Sequence, residues 1–139
     1  MRLGEEEKKM KTYTFHVSLP GTGRVWRKIE MRADQTLEDL HFAIQKAYGW
    51  DADHLYSFFM SGKAWDKSTE YCLPEGYTPY GEPMYDEEEE FMYLFDYGDA
   101  WRFKVRVHAV HPDAPEGDYP RIVESVGEAP EQYPSWDWE

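Results

Sequence analysis

Cysteine is almost missing. Cys72 is alone in a chain of 139 residues, which excludes an internal disulfide and a thiolate zinc cluster built within the chain. Long apolar runs are missing too: no window approaches the length of a membrane span, and the opening MRLGEEEKKMK lacks the apolar middle of a secretory signal. The expectation is a soluble cytoplasmic protein without membrane contact. The familiar catalytic signatures are also absent, whether G-x-x-x-x-G-K-S/T, G-x-G-x-x-G after a strand, G-x-S-x-G, or H-E-x-x-H on a helix.

Positive charge is scarce in two segments. Asp86 to Glu90 is a run of five acids, and residues 111–139 hold eight acids against Arg121 alone. Those stretches account for nearly all of the formal net charge of -13, and the remainder is close to neutral. A phosphate backbone would be repelled by both, so nucleic acid is a disfavoured partner, although a local basic strip remains open to it.

Aromatic residues are abundant at 17%, and the length suits one core. Residues 1–11 read as a charged flexible arm, 12–131 as the folded domain and 132–139 as an acidic tail carrying Trp136 and Trp138. Tyr13, Phe15, Val17 and Leu19 alternate with polar residues as in a half-buried strand. "LPGTGR" supplies turn residues, and Val25, Ile29 and Met31 continue on one parity, which makes a hairpin. "TLEDLHFAIQKAYG" is a helix: Thr36 caps it, Glu38 and Asp39 sit in its first turn, Leu37, Leu40, His41, Ile44, Ala47 and Tyr48 form one stripe, and Gly49 ends it. "HLYSFFM" is apolar on both parities, as expected of a central strand, and residues 61–90 show no period and read as a surface excursion. Phe91 to Phe95 and Trp101 to Val110 form a second hairpin. Trp101, Phe103, Val105, Val107 and Ala109 share one face, and Arg102, Lys104, Arg106 and His108 the other. A short strand near Arg121 to Val126 follows. The order ββα β … ββ β implies an α+β, single-domain, β-grasp-like roll, with one main helix on a mixed sheet.

Asp96-Tyr97-Gly98-Asp99 joins the second hairpin. Asp and Gly are turn residues, because Asp accepts from nearby amides and Gly takes positive φ. The same acids, with His54 and His41, are also the candidates for a catalytic acid/base pair. "HAVHPD" spaces His108, His111 and Asp113 so that they grip a metal only if the strand ends between the two histidines; no metal and no cofactor is expected. Arg102, Lys104 and Arg106 form a row beside aromatic side chains, able to take an anion or a single nucleic-acid strand.

The succession "YTFHVSLPGTGRVWRKIEM", "TLEDLHFAIQKAYGW", "HLYSFFM", "YLFDYGDAW" and "YPRIVESVGEAP" resembles the plasmid pRiA4b ORF-3-like family from about Thr12 to Glu131. The resemblance implies an α+β roll and a mobile-element or plasmid association, without fixing an activity. Its motif positions fall on Trp26, Arg27, Leu40, His41, Gly49, Trp50, His54, Leu55, Asp96, Gly98, Asp99, Trp101, Pro120 and Pro130. Two departures stand out: the family's Glu-His after the tryptophan is Arg102-Phe103 here, and its closing Glu-Asp-Cys-Gly-Gly is Glu131-Gln132-Tyr133-Pro134-Ser135. Of these positions Trp26, Arg27, Trp50, Gly98 and Trp101, with the row Arg102, Lys104 and Arg106, are the candidate ligand-binding residues.

Three functions follow in order. The first is a non-catalytic module, monomer or homodimer, that binds a protein or peptide on its sheet face or on the 61–90 excursion. The second is a mobile-element-associated hydrolase or nucleic-acid-processing accessory factor built on Asp96, Asp99, His54 and His41. The third is single-strand nucleic-acid binding on the basic row.

Overall fold

The computed structural model describes residues 9–21, 23–72 and 89–132. The arm before Lys9, the acids Asp86 to Glu88, the side chain of Cys72 and the tail beyond Gln132, with Trp136 and Trp138, lie outside the described residues.

The first hairpin forms from β1 (Lys9–Ser18) and β2 (Trp26–Arg32), with Phe15 opposite Ile29 and Tyr13 opposite Met31 on the core side. β1 takes in Lys9 to Lys11, the last residues of the expected arm, because they pair with the far end of a later strand. Helix α1 (Leu37–Tyr48) starts where local chemistry dictates. The Thr36 hydroxyl accepts from the Asp39 amide at 3.0 Å, and Asp39 Oδ2 accepts from the Thr36 amide at 2.9 Å, a reciprocal capping box. Gly49 closes it at φ 71°, a left-handed conformation that costs a glycine nothing. Leu37, Leu40, His41, Ile44, Gln45 and Tyr48 face the sheet.

β3 (Tyr56–Phe59) and β4 (Glu70–Cys72) follow, separated by a 3-10 turn at Lys67–Thr69. Then come β5 (Glu90–Phe95), β6 (Trp101–Pro115) and β7 (Arg121–Val126). They join in the order β4-β3-β5-β6-β1-β2-β7. Two expectations are corrected here. The sheet is not mixed: all six pairings are antiparallel, because α1 returns the chain so that β3 and β6 run with β2 and against β1. β3 is not central; it is second from the edge, with β4, formed inside the supposed irregular excursion, beside it.

β3 is nevertheless buried along its whole length, as its apolar parity pattern requires. Tyr56 and Phe58 face the core. Phe59 packs under Trp65 at 6.0 Å, Trp65 meets Tyr97 at 5.3 Å, and Ser57 Oγ bonds Glu70 Oε2 at 2.7 Å. The loop after β3 thus covers one half of the sheet's outer face. Among the described residues, no helix lies on the half formed by β6, β1 and β2.

β6 runs five residues beyond the expected end at Val110, since its last residues pair with Lys9 and Met10. Its alternation also breaks. Val107 stands opposite Phe15 and Ala109 opposite Thr14, leaving His108 as an extra residue between them. Such a bulge flips the parity, so Val110 rather than Ala109 continues the core face. The core is dominated by Tyr13, Phe15, Phe58, Phe91, Tyr93, Phe95 and Phe103, all 2% exposed or less, each such ring contributing about 2–3 kcal/mol by leaving water. Among the described residues no helix is long and apolar enough to cross a membrane.

Candidate functional site

The Asp96 to Asp99 connection is a turn held by the Asp96 carboxylate. Asp96 takes φ 66°, and its Oδ1 accepts from the amides of Gly98 at 3.1 Å and Asp99 at 3.3 Å. Its own amide donates to the Leu55 carbonyl at 2.8 Å, which ties the turn to the start of β3. Asp99 is exposed. His54 Nε2 lies 3.7 Å from Asp96 Oδ2 and 3.4 Å from Asp53 Oδ1, at the surface.

His41 lies elsewhere. Its ring stacks on Tyr56 at 3.7 Å, and its Nδ1 meets the Tyr93 hydroxyl at 2.5 Å. Gln45 Nε2 donates to that hydroxyl at 3.0 Å. Burial lowers the His41 pKa from 6.5 to about 4, so the ring is neutral at physiological pH, and burial pushes the Tyr93 phenol well up. The two histidines meet Phe95, at 6.0 and 5.8 Å, rather than each other. The four catalytic candidates therefore do not converge: Asp96 and His54 are neighbours, Asp99 points away in the turn, and His41 is a core residue.

The metal candidates also stay apart. β6 does not end between His108 and His111, but the bulge at His108 shifts the parity, so strand alternation no longer separates the two histidines. His111 Nε2 bonds Thr14 Oγ1 at 3.0 Å, and Asp113 is exposed. No group of three metal-ligating side chains forms among the described residues.

Arg27, Trp50 and Gly98 each make contacts that hold the fold, Gly98 through its amide on Asp96 Oδ1. Arg27 is 6% exposed, lies over the Tyr48 ring at 4.9 Å, and donates to the carbonyls of Ala47, Trp26 and Val126 at 3.1, 2.8 and 2.9 Å. It clamps the end of α1 to β2 and β7. Trp50 donates through Nε1 to the Pro130 carbonyl at 2.9 Å and packs on Trp101 at 4.7 Å.

Of the remaining candidates, Trp26, Arg102, Lys104 and Arg106 come together on the outer face left open among the described residues, while Trp101 packs against the core side. Strand register places Glu90, Arg106, His16, Lys28 and Glu124 in one row across five strands, each directly opposite the next. The row is acid, three bases, acid. Lys28 Nζ reaches Glu124 at 3.4 Å, and the Trp26 ring lies 4.6 Å from His16 with Lys28 above it at 5.4 Å. Partial burial, then Arg106, Lys28 and His108, lower the His16 pKa, a sign that positive potential gathers there.

One row further along, Lys104 stands between Met92 and Ser18, and Arg102 stands opposite Leu94. Neither has an acid opposite it. Two adjoining depressions, of about 110 and 380 Å³, share Pro20, Met92 and Arg102. Lys104, Gly62 and Glu90 complete the smaller; Leu19, Ala100 and Trp101 complete the larger. Trp101 carries a buried indole N–H with no hydrogen-bond partner among the described residues. Met92, Pro20 and Gly62 are absent from the sequence-derived candidates. Met92 carried a usable signal, an apolar side chain on the outward parity of its strand, whereas the loop residues carried none.

A family model described as plasmid pRiA4b ORF-3-like protein matches residues 11–133. Among curated proteins, the uncharacterized protein y4hQ of Sinorhizobium fredii is 25% identical over 127 residues, covering 82% of this chain and 61% of the relative. The chain thus spans about three-fifths of that relative's length. Among solved structures, the protein of unknown function MM3350 from Methanosarcina mazei superimposes with a TM-score of 0.71 at 26% identity, covering 90% of this chain and 74% of that one.

Proposed function

We propose, from the premise that this chain belongs to the plasmid pRiA4b ORF-3-like family, that it is a non-catalytic binding module taking an acidic, partly apolar segment of a partner protein onto the open face of its sheet. The observation that carries this reading is the pair Arg102 and Lys104, exposed side by side, faced by Met92, Leu94 and Ser18 instead of acids, above depressions floored by Met92 and Pro20. A carboxylate between the two cations makes charge-assisted bonds, and an apolar neighbour covers Met92 and Pro20. A long polyanion fits less well, because Glu90 and Glu124 close the adjacent row at both ends and repel a backbone that tracks it. The reading as a hydrolase or nucleic-acid-processing accessory factor is weakened by Asp96, whose Oδ1 is engaged by its own turn.

The test is calorimetric titration with a synthetic decapeptide alternating glutamate and leucine, set against oligothymidylate of twelve nucleotides. The expected result is peptide binding that weakens roughly tenfold or more in the double variant Arg102→Glu, Lys104→Glu, and weakens with added salt. Tighter binding of the oligonucleotide, or peptide binding indifferent to the double variant, overturns the reading.

A further inference from the structure

A second surface, on the other margin of the sheet and independent of the site above, has the features of a strand acceptor. β7 is the terminal strand: β2 pairs with one of its edges, and no described strand pairs with the other. It is six residues long, exposed from Arg121 to Ser125, and presents Ile122 at 41% and Val123 at 44% exposure. Edge strands ordinarily carry guards such as lysine or proline against pairing with another chain. Arg121-Ile-Val-Glu-Ser-Val126 contains neither; its guards are the charges of Arg121 and Glu124 and a bulge at Val123, between the pairs Lys28–Glu124 and Ile29–Ile122. The opposite edge, β4, is three residues long.

Beside β7 lies a groove of about 400 Å³ between the strand and the outward side of α1. Phe42, 51% exposed, Ala43, Pro120 and Ile122 give it an apolar floor; Asp39, Asp118, Lys46 and Arg121 give it charge. Two of these charges are already used, Asp39 in the helix cap and Arg121 on Glu30 at 2.8 Å. Asp118 and Lys46 have no partner among the described residues. Their positions are ordered. Gln35, before α1, bonds the Tyr119 carbonyl at 2.9 Å, while Arg27 bonds both Ala47 near the helix end and Val126 at the strand end. Helix and strand therefore run the same way, with Asp118 at the start of β7 and Lys46 further along.

We infer that β7 and this groove accept an extended segment of a partner protein as an eighth strand. Its alternate apolar side chains enter beside Phe42 and Ile122, a basic residue faces Asp118 and an acidic residue faces Lys46. Backbone pairing supplies affinity and the groove supplies selectivity, the usual division in strand addition. Antiparallel pairing is the more stable arrangement, so the segment runs from its acidic to its basic end.

The probes are two capped heptapeptides of alternating valine and threonine, one opening with glutamate and closing with lysine, the other reversed. Amide hydrogen exchange of residues 121–126 in the full chain reads binding. The acid-first peptide slows that exchange, and Val123→Lys, at an exposed position that leaves the melting temperature unchanged, weakens the effect tenfold or more. Lys46→Glu abolishes the preference between the peptides, and the charge swap Asp118→Lys, Lys46→Glu reverses it, which a loss of folding cannot do. The assignment is overturned if neither peptide slows exchange at millimolar concentration, if Val123→Lys makes no difference, or if preference survives Lys46→Glu. It is equally overturned if the free chain sediments as a dimer that Val123→Lys dissociates, since a second copy then owns the edge.

Discussion

The two faces of the sheet use polar side chains in opposite ways. On the face beneath α1, most polar groups are tied to one another or to backbone: His41 to Tyr93, Gln45 to Tyr93 through its Nε2 while its Oε1 has no partner among the described residues, Tyr48 to the Val17 carbonyl, Arg27 to three carbonyls. On the open half of the other face, Arg102 and Lys104 stand directly opposite uncharged residues, with Glu90 lining the same depression, and His16 sits between Arg106 and Lys28. Chemical reactivity inferred from residue type is therefore misleading on the first face. A buried, satisfied histidine beside a tyrosine looks like a catalytic pair in a list of residues, yet it has no access to a substrate. Cations left without acids directly opposite them are costly to gather unless something anionic arrives, and this supports the proposal that the open face takes the partner.

The largest effect that would break this contrast lies at Arg27. Truncation in Arg27→Ala removes three hydrogen bonds from a cation and the packing over Tyr48, and the expected loss is roughly 3 kcal/mol of unfolding free energy in urea titration. Loss of peptide binding with unchanged stability would instead make Arg27 a ligand residue.

Nearly as large is the expected pH dependence from His41. Its folded pKa of about 4 lies below the 6.5 of the free side chain, so between those values the unfolded chain binds a proton that the folded one refuses. Stability therefore falls as pH drops from 6.5 to about 4, by up to about 3 kcal/mol, and this contribution levels off below. The carboxylates titrate in the same range, so the measurement is the difference between the wild-type and His41→Phe denaturation curves. A difference that stays flat from pH 7 to 4 would place His41 in contact with solvent and bring it back among the acid/base candidates.

The turn gives a smaller effect that sharpens the contrast. Asp96→Asn keeps an acceptor for the amides of Gly98 and Asp99 and tolerates φ 66°, so it should cost under about 1 kcal/mol; Asp96→Ala loses both features and should cost about 2. Asp99→Asn, at an exposed position, should stay within about 0.5 kcal/mol by the same denaturant titration. Near-equal losses for the asparagine and alanine variants at 96 would mean that the charge, rather than the turn, is what the residue supplies.

How much of this was legible in the sequence follows the range of each interaction. The helix was readable to within a residue because its cap, stripe and terminating glycine are all local. The basic row was readable because parity along one strand is local, and it failed at Ala109, where the bulge at His108 depends on how β1 pairs with β6. The pairing of β3 with β5 and of β1 with β6 depends on partners more than 30 residues away, which no alternation records. The same holds for the site. Arg102 and Lys104 follow from parity, whereas Pro20 and Gly62 become walls only once two loops are placed over the sheet.

The smallest expected stability change is at the site itself, and that smallness is the point. Arg102 and Lys104 make no ion pair that the described residues record, and they are exposed, so Arg102→Ala and Lys104→Ala should each change unfolding free energy by less than about 0.5 kcal/mol. Removing cations from a chain of net charge -13 slightly increases its self-repulsion, so any shift should be destabilising and should shrink with salt. A row kept for the fold behaves differently: each alanine would cost 1 kcal/mol or more, regardless of salt, because buried bonds would be lost. Urea titrations at low and high salt separate the two. Stability unmoved while affinity for the acidic peptide drops is the signature of residues held at the surface for a partner.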